Sequence, residues 1–139
     1  MASPVVIPES VSLAVHALAK LASCSGKKLK LGELMVRPGS MDHLSKVMQK
    51  LARAGMVRSK RGRDGGFELA VAPGDIRLMD IWIALEGTFQ SSICPFEHSC
   101  SLSSCVFGNV SSRAAEMIAD YFTITTLADL VPLFGKHQG

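Results

Sequence analysis

Apolar residues in the first part of the chain recur at spacings of three and four, which is typical of helices that bury one face. Such a stripe between Val11 and Ala22 predicts a first helix. A second, short helix is predicted over residues 31–36, and it ends before Pro38 because proline cannot continue a helix. Two successive helices therefore open the chain.

A third helix is predicted over residues 41–54, where Ser40 offers an N-cap and Gly55 supplies a left-handed stop. Its apolar residues share one face and leave polar and basic residues on the other. A tight turn that contains glycine joins it to the second helix. The pair forms a helix-turn-helix pattern, in which the later helix enters the major groove of DNA with its N-terminal residues at the base edges.

Two short strands are predicted over residues 56–60 and 66–70, joined by a hairpin rich in glycine and arginine over residues 61–65. A basic hairpin directly after a recognition helix is a wing. Beyond it, the apolar pattern predicts a helix over residues 78–85 and a long helix over residues 110–122. The predicted fold class is mainly α with a small β-hairpin wing.

We expect a winged helix-turn-helix with a C-terminal dimerisation helix, because a palindromic DNA site requires a two-fold protein. The apolar stripe of the long helix includes Ile118 and Phe122. A length of 139 residues suits one structural domain. Within it we distinguish a DNA-binding region at residues 1–87, a cysteine-bearing sensor loop at residues 88–108, and a dimerisation helix and tail at residues 109–139.

Composition is that of a globular protein, with 47% hydrophobic and 19% charged residues. No apolar run approaches the roughly 18 to 20 residues that cross a bilayer, and the first residues lack the pattern of a secretory signal. We therefore expect a cytoplasmic protein without a membrane partner.

Charge is distributed unevenly along the chain. Through Arg63 there are twelve Lys and Arg against three Asp and Glu, a net charge of +9. From Asp64 onward there are three basic and nine acidic residues, a net charge of −6. This asymmetry predicts a half that binds a polyanion, here double-stranded DNA with a palindromic operator.

Candidate DNA contacts fall into two groups. Residues at the start of the third helix are expected to discriminate bases, and cationic residues of that helix and the hairpin are expected to bind phosphates. The base-reading candidates are Ser40, Met41, His43 and Ser45, and the phosphate-binding candidates are Lys46, Lys50, Arg53, Lys60, Arg61 and Arg63.

Three of the four cysteines lie within twelve residues, at Cys94, Cys100 and Cys105, whereas Cys24 stands alone. In a reducing compartment such a cluster points to metal ligation or redox chemistry. Three thiolates are too few for a closed four-cysteine zinc site, and an iron–sulfur cluster with a weak fourth ligand suits a sensor. Zinc, thiol or disulfide switching, and no role at all remain alternatives.

Five segments resemble the winged-helix repressor family of IscR and NsrR. They are residues 13–18 (LAVHAL), 40–44 (SMDHL), 51–59 (LARAGMVRS), 61–67 (RGRDGGF) and 126–130 (TLADL). The resemblance implies a dimeric bacterial transcription regulator, most commonly a repressor. It also implies a [2Fe–2S] or [4Fe–4S] cluster on the three clustered cysteines.

The chain departs from that family at the cysteines and at the fourth ligand. Five residues separate the first two cysteines but four separate the last two, where the family commonly has five and five. Gly108 stands where IscR-like members have a histidine, and Ser12 where NsrR-like members have an aspartate. Glu9 and His98 are the candidate protein ligands for the fourth position, and water, a thiolate or a small ligand are the alternatives.

The predicted function is a DNA-binding regulator that senses iron–sulfur, redox or nitric oxide status. One alternative is a cluster-free regulator of the same fold that responds to thiols or a metabolite. Another is a small iron–sulfur electron carrier, for which the basic half would have no use. An enzyme is not expected, because the chain has no phosphate-binding glycine loop, no nucleophile elbow and no HExxH motif.

Overall fold

A computed structural model describes residues 3–24, 26–37, 39–96 and 99–135. Within these ranges the chain forms helices, one antiparallel hairpin and a single 3-10 turn at Pro73–Asp75. The helices are α1 (Glu9–Ser23), α2 (Leu31–Leu34), α3 (Met41–Arg53), α4 (Leu78–Glu86), α5 (Val110–Ile124) and α6 (Leu127–Gly135), and the strands are β1 (Val57–Lys60) and β2 (Gly66–Leu69).

The first helix is the centre of the core. It contacts α2, α3, α4, α6 and β2. Small residues on α1, among them Ala14, Ala17 and Ala19, are buried and let these neighbours approach closely. The largest side chains buried around α1 include Leu18, Leu34, Leu44, Met48, Leu51, Ile76, Ile81 and Leu127. One continuous apolar core therefore joins the helix-turn-helix to the C-terminal helices.

The turn between α2 and α3 packs tightly against α1. The Gly39 N–H donates to the Val36 carbonyl at 2.9 Å. A Cβ added at Gly39 would lie 2.6 Å from Leu13 Cδ2 and 3.0 Å from the Val36 oxygen. A side chain at this position would therefore require Leu13 or the turn itself to shift.

The C-terminal helices are tied to the winged part through backbone hydrogen bonds. The Leu78 N–H donates to the Thr125 carbonyl, and the Leu127 N–H donates to the Ile76 carbonyl, both at 3.0 Å. The segment between α5 and α6 therefore pairs with the segment that leads into α4. This link places α6 against α1, with Leu127 fully buried.

The predicted fold class is confirmed, and the differences are at the edges of the elements. β1 begins one residue later than predicted, at Val57, and β2 ends one residue earlier, at Leu69. The helix α5 extends two residues further than predicted, to Ile124. The tail beyond α5 contains a further helix, α6, which the sequence pattern did not predict. Among the described residues, no helix combines the length and apolar character that a membrane crossing requires.

Candidate DNA interface and cysteine segment

The recognition helix α3 begins where a side-chain cap allows it. The Ser40 Oγ accepts a hydrogen bond from the His43 N–H at 3.1 Å, which satisfies one of the free amides of the first turn. The Ser40 oxygen is therefore engaged as an N-cap. Its hydroxyl hydrogen remains able to donate, so capping and a contact to DNA are compatible.

The end of α3 is equally well defined. Gly55 has φ +80°, a left-handed conformation that L residues rarely adopt. Its N–H donates to the Ala52 carbonyl, and the Met56 N–H donates to the Leu51 carbonyl, both at 3.0 Å. These two bonds form a Schellman motif, which stops the helix and directs the chain into β1.

One face of α3 packs on the core, and the other carries the candidate DNA contacts. Leu44, Val47, Met48 and Leu51 are buried against the core. The side chains of Met41, Lys46, Lys50 and Arg53 are exposed, and His43 and Ser45 are half-buried. Every predicted DNA-contact residue on the helix therefore lies off its buried stripe, although whether each contacts DNA stays a prediction.

Glu9 lies beside the start of the recognition helix. Its Oε1 is 3.6 Å from His43 Nδ1, which is too long for a hydrogen bond. The contact joins the first turn of α1 to the first turn of α3. Within one chain, the candidate fourth ligand thus contacts a candidate base-reading residue, and its role as a ligand stays a prediction.

The wing is a regular hairpin with a glycine-dependent turn. Its register pairs Val57 with Leu69 at the base and Lys60 with Gly66 at the tip. A Cβ at Gly66, where φ is +142°, would lie 2.8 Å from the Leu29 oxygen. A side chain at Gly66 would therefore clash with neighbouring backbone, which makes this glycine essential to the shape of the wing.

Leu29 adds a third backbone segment to the wing. The Leu29 N–H donates to the Phe67 carbonyl at 2.9 Å, and the Phe67 N–H donates back to the Leu29 carbonyl at 2.7 Å. This pairing places Lys28 and Lys30 beside the hairpin. Both belong to the basic half of the chain but are absent from the candidate DNA contacts, because a pairing 38 residues apart has no local sequence signal.

Cationic side chains of the hairpin differ in whether they are already paired. Arg58 Nε lies 3.6 Å from Glu68 Oε1 on the neighbouring strand. Within the described ranges, Lys60, Arg61 and Arg63 form no such ion pair, and all three are exposed. Their charges are therefore available to an anionic partner.

The segment that carries Cys94, Cys100 and Cys105, called the cysteine segment below, is anchored to the start of α5 through Ser92. Cys94 is half-buried, and its N–H donates to Ser92 Oγ at 3.1 Å. The Ser92 hydroxyl also lies 2.5 Å from the buried hydroxyl of Ser111, which accepts the Ile93 N–H at 3.0 Å. The position of Cys94 is thus coupled to the first turn of α5.

Cys105 lies at the other end of the segment, just before α5. Its Sγ accepts the Phe107 N–H at 3.4 Å, and its carbonyl accepts the Gly108 N–H at 3.0 Å. These two bonds fix Cys105 against the chain that leads into α5. Cys100, between the two, is exposed.

Cys94, Cys100 and Cys105 are free thiols, but a preformed metal site is not seen in the described part of the chain. There, no three His, Cys, Asp or Glu side chains lie in an arrangement that would hold a metal ion. His98 falls outside the described residues. The donor set, three thiols on one segment, nevertheless suits the soft ligand preference of iron–sulfur clusters. Cys24 is half-buried against the core.

The apolar stripe of α5 that is expected to mediate dimerisation faces the core of its own chain. Ala115 and Phe122 are buried within the chain itself, and Ile118 packs against the same core. The prediction fails here because α5 has two apolar faces, and a helical period does not tell which of them covers the core. The exposed face carries Val110, Met117, Tyr121 and Ile124, which are 61%, 75%, 53% and 76% exposed.

Comparison with known sequences identifies relatives over most of the chain. The profile of the Rrf2 family, described as an iron-dependent transcriptional regulator, matches residues 7–132. A putative HTH-type transcriptional regulator of Aquifex aeolicus is 31% identical over 137 residues, which cover 95% of each chain. These relatives are transcriptional regulators, which confirms that the chain is not an enzyme.

Solved structures show the same fold. T. potens IscR is 28% identical with a TM-score of 0.73, covering 97% of this chain and 92% of that one. The oxidised form of Staphylococcus aureus CymR is 25% identical with a TM-score of 0.68, covering 91% of this chain and 96% of that one. Both similarities extend over the winged part and the C-terminal helices.

Proposed function

Since the chain belongs to the Rrf2 family of transcriptional regulators, we propose that it binds a two-fold symmetric operator as a homodimer. Each protomer inserts the start of α3 into the major groove and places the wing tip on flanking phosphates. The observation that carries this proposal is the separation of faces on α3 together with Lys60, Arg61 and Arg63 of the adjoining hairpin, which form no ion pair among the described residues.

Side-chain chemistry assigns different roles to the two groups of candidate DNA contacts. At the start of α3, Ser40, His43 and Ser45 carry groups that can hydrogen-bond to base edges, and Met41 offers an apolar contact. The six cations, Lys46, Lys50, Arg53, Lys60, Arg61 and Arg63, are suited to phosphates, and Lys28 and Lys30 extend this basic surface beside the wing.

The dimer forms through the exposed apolar face of α5. Val110 and Ile124 each lie seven residues, about two helical turns, from Met117. An antiparallel pair of α5 helices with Met117 on the two-fold axis therefore sets Val110 of one protomer opposite Ile124 of the other. The same register sets Arg113 opposite Tyr121, where a guanidinium stacks on an aromatic ring.

The sensor is the segment that carries Cys94, Cys100 and Cys105, and its ligand is an iron–sulfur cluster. Support comes from the iron dependence in the family description, the similarity to IscR, and the three free thiols on one segment. A bound cluster supplies iron that reacts with oxygen or nitric oxide. The chain itself transmits the state of Cys94 to α5 through the Ser92 and Ser111 hydroxyls.

Thiol switching is a second candidate for the same segment. The exposed sulfurs of Cys100 and Cys105 favour it, because reactive cysteines are accessible ones. The similar CymR structure was solved in an oxidised form. In this version, oxidation of the thiols replaces the loss of a cluster as the event that alters α5.

DNA binding is tested by selecting fragments from genomic DNA with the purified full chain and measuring their affinity. We expect enrichment of sites with two-fold symmetry and half-sites about 34 Å apart, one turn of the duplex. Changing His43 to Ala should lower the ratio of specific to non-specific DNA affinity. Equal binding to selected and scrambled fragments would contradict the proposal.

The cofactor is tested separately by anaerobic purification with iron, sulfide and absorbance analysis. We expect iron and sulfide in the native chain and their loss in C94S, C100S or C105S, with C24S as the matched control. Native protein that lacks both after reconstitution would reject the cluster. Oxidant-dependent DNA affinity in that metal-free protein, abolished by C100S or C105S, would establish thiol switching instead.

A further inference from the structure

One row of residues on α3 faces directly away from the core. Its members lie two positions from Leu44 or Leu51, both of which are fully buried. Two positions on an α-helix correspond to a rotation of about 200°, which leads to the opposite face. The row consists of Asp42, Lys46, Gln49 and Arg53, and all four are exposed. Asp42 is the member in the first turn, which is the turn that enters the groove in the proposed docking.

Asp42 carries a negative charge without a partner. The basic half of the chain holds three acids, and two of them contact other residues of the chain. Glu33 Oε1 accepts the Lys30 N–H at 3.1 Å, and Glu9 Oε1 lies 3.6 Å from His43 Nδ1. The carboxylate of Asp42 forms no ion pair or side-chain hydrogen bond with any residue that the structure describes. An unpaired acid therefore stands at the start of the recognition helix.

Such a carboxylate matches one base of the major groove. Beside phosphates it is unfavourable, because the charges have the same sign, and it becomes favourable where a base donates to it. Cytosine presents only a donor in the major groove, its N4 amino group. Guanine and thymine present acceptors, and adenine places the acceptor N7 beside its donor. An ionised carboxylate only accepts hydrogen bonds, so it suits cytosine and repels the acceptors of the other bases.

We propose that Asp42 is a specificity-determining residue that accepts a hydrogen bond from the N4 amino group of one cytosine in each half-site. This inference rests on the proposed function, since it requires the start of α3 to lie in the major groove, and it adds one base that the operator contains. Asp42 is absent from the candidate DNA contacts, because an acid is not expected on a surface that binds a polyanion.

Two other roles of an acid at this position have different consequences. A negative charge in the first turn stabilises a helix through the helix dipole, and this role would affect folding without any effect on base preference. A negative charge near phosphates lowers the affinity for all DNA sequences evenly. A preference for one base at one position therefore separates base reading from both.

The test measures the affinity of the full chain for a fragment selected from genomic DNA and for fragments in which each base pair of one half-site is replaced in turn. At constant salt concentration, we expect one position at which the native chain prefers cytosine about tenfold. Asp42→Ala should bind all four bases at that position within about twofold and keep its preferences elsewhere. The variant should fold, because the side chain is exposed and Ser40 still caps the helix.

Two further variants separate hydrogen bonding from charge. D42N keeps the shape of the side chain but adds a donor, and asparagine pairs with N6 and N7 of adenine, so the preference should change from cytosine to adenine. D64N is the matched control, because Asp64 is an exposed acid of the wing turn that forms no ion pair among the described residues. It removes the same charge and should raise the affinity for all fragments by one common factor.

A modified base tests the hydrogen bond itself. N4-methylcytosine still pairs with guanine, but its methyl group takes the place of the donor hydrogen in the major groove. At the identified position it should weaken binding of the native chain about tenfold and binding of D42A by less than about twofold. Equal weakening of both proteins would mean that the methyl group collides with another part of the helix and that Asp42 accepts no hydrogen bond there.

Three further results would overturn the proposal while leaving the proposed function intact. They are a base preference that D42A retains at every position, a uniform gain in affinity in D42N like that in D64N, and a lower stability of D42N in urea without any change in base preference. A native chain that binds selected and scrambled fragments equally would instead reject the proposed function, and the role of Asp42 with it.

Discussion

Replacing Arg61 and Arg63 with alanine removes two positive charges from the tip of the wing and little else. Both side chains are exposed, and within the described residues neither forms a hydrogen bond or an ion pair. The turn is closed by backbone, since the Gly65 N–H donates to the Gly62 carbonyl at 3.0 Å. The variant hairpin should therefore keep its shape, and any change in affinity reports on phosphate contacts.

The size of the effect follows from counterion release. Each phosphate neutralised on duplex DNA contributes about 0.9 to the slope of log affinity against log salt concentration. Loss of both arginine contacts should reduce that slope by about 1.8. Raising the salt concentration fourfold, from about 50 to about 200 mM, lowers the DNA affinity of both proteins. The fold-loss in affinity should be roughly 12 times smaller for the variant than for the native protein.

The measurement is fluorescence anisotropy of one selected DNA fragment titrated at several salt concentrations. Arg77→Ala is the single-charge control, because Arg77 is exposed but contacts Asp80 and lies beside Thr126 at the start of α6. It should leave the slope unchanged. An unaltered slope and affinity in the double wing variant would refute the assignment of the hairpin to DNA.

Three other changes have defined outcomes. Ser40→Ala removes the hydroxyl cap of α3 and should lower the free energy of unfolding by about 1 kcal/mol, measured by urea denaturation. Gly66→Ala forces a Cβ against neighbouring backbone at a positive φ and should cost about 1–3 kcal/mol in the same assay, whereas Gly74→Ala, with open space around it, should change stability little. Met117→Asp should convert a dimer to monomers in light scattering, whereas Thr123→Asp, also exposed on α5, should not.

A specific result would contradict each of these three predictions. Native stability in Ser40→Ala would mean that the His43 amide finds solvent as good a partner as the hydroxyl. Equal stability of the two glycine variants would contradict the close approach of Leu29 to the wing. A Met117→Asp protein that remains dimeric would exclude the exposed face of α5 as the interface, and a native protein that is monomeric would exclude the dimer itself.

The sequence predicts those helices and strands whose bounds are set by residues close together in the chain. The bounds of α3 are set by a serine cap at Ser40 and a left-handed glycine at Gly55, both of which act within one helical turn. The hairpin follows from a glycine-rich turn between two short strands. The basic residues of helix and wing likewise follow from the sequence, and the family comparison confirms the regulator class.

The sequence by itself determined the order of the elements, the chemistry of the basic half and the presence of three clustered thiols. Tertiary structure decided which face of α5 covers the core, that Leu29 pairs with Phe67 in the wing, that α6 packs on α1, and that Trp82 packs against Phe89 and Phe122. The physical reason is the range of the interactions. Caps, turns and helical periods act between residues a few positions apart, whereas burial and strand pairing depend on segments that meet only when the whole chain is folded.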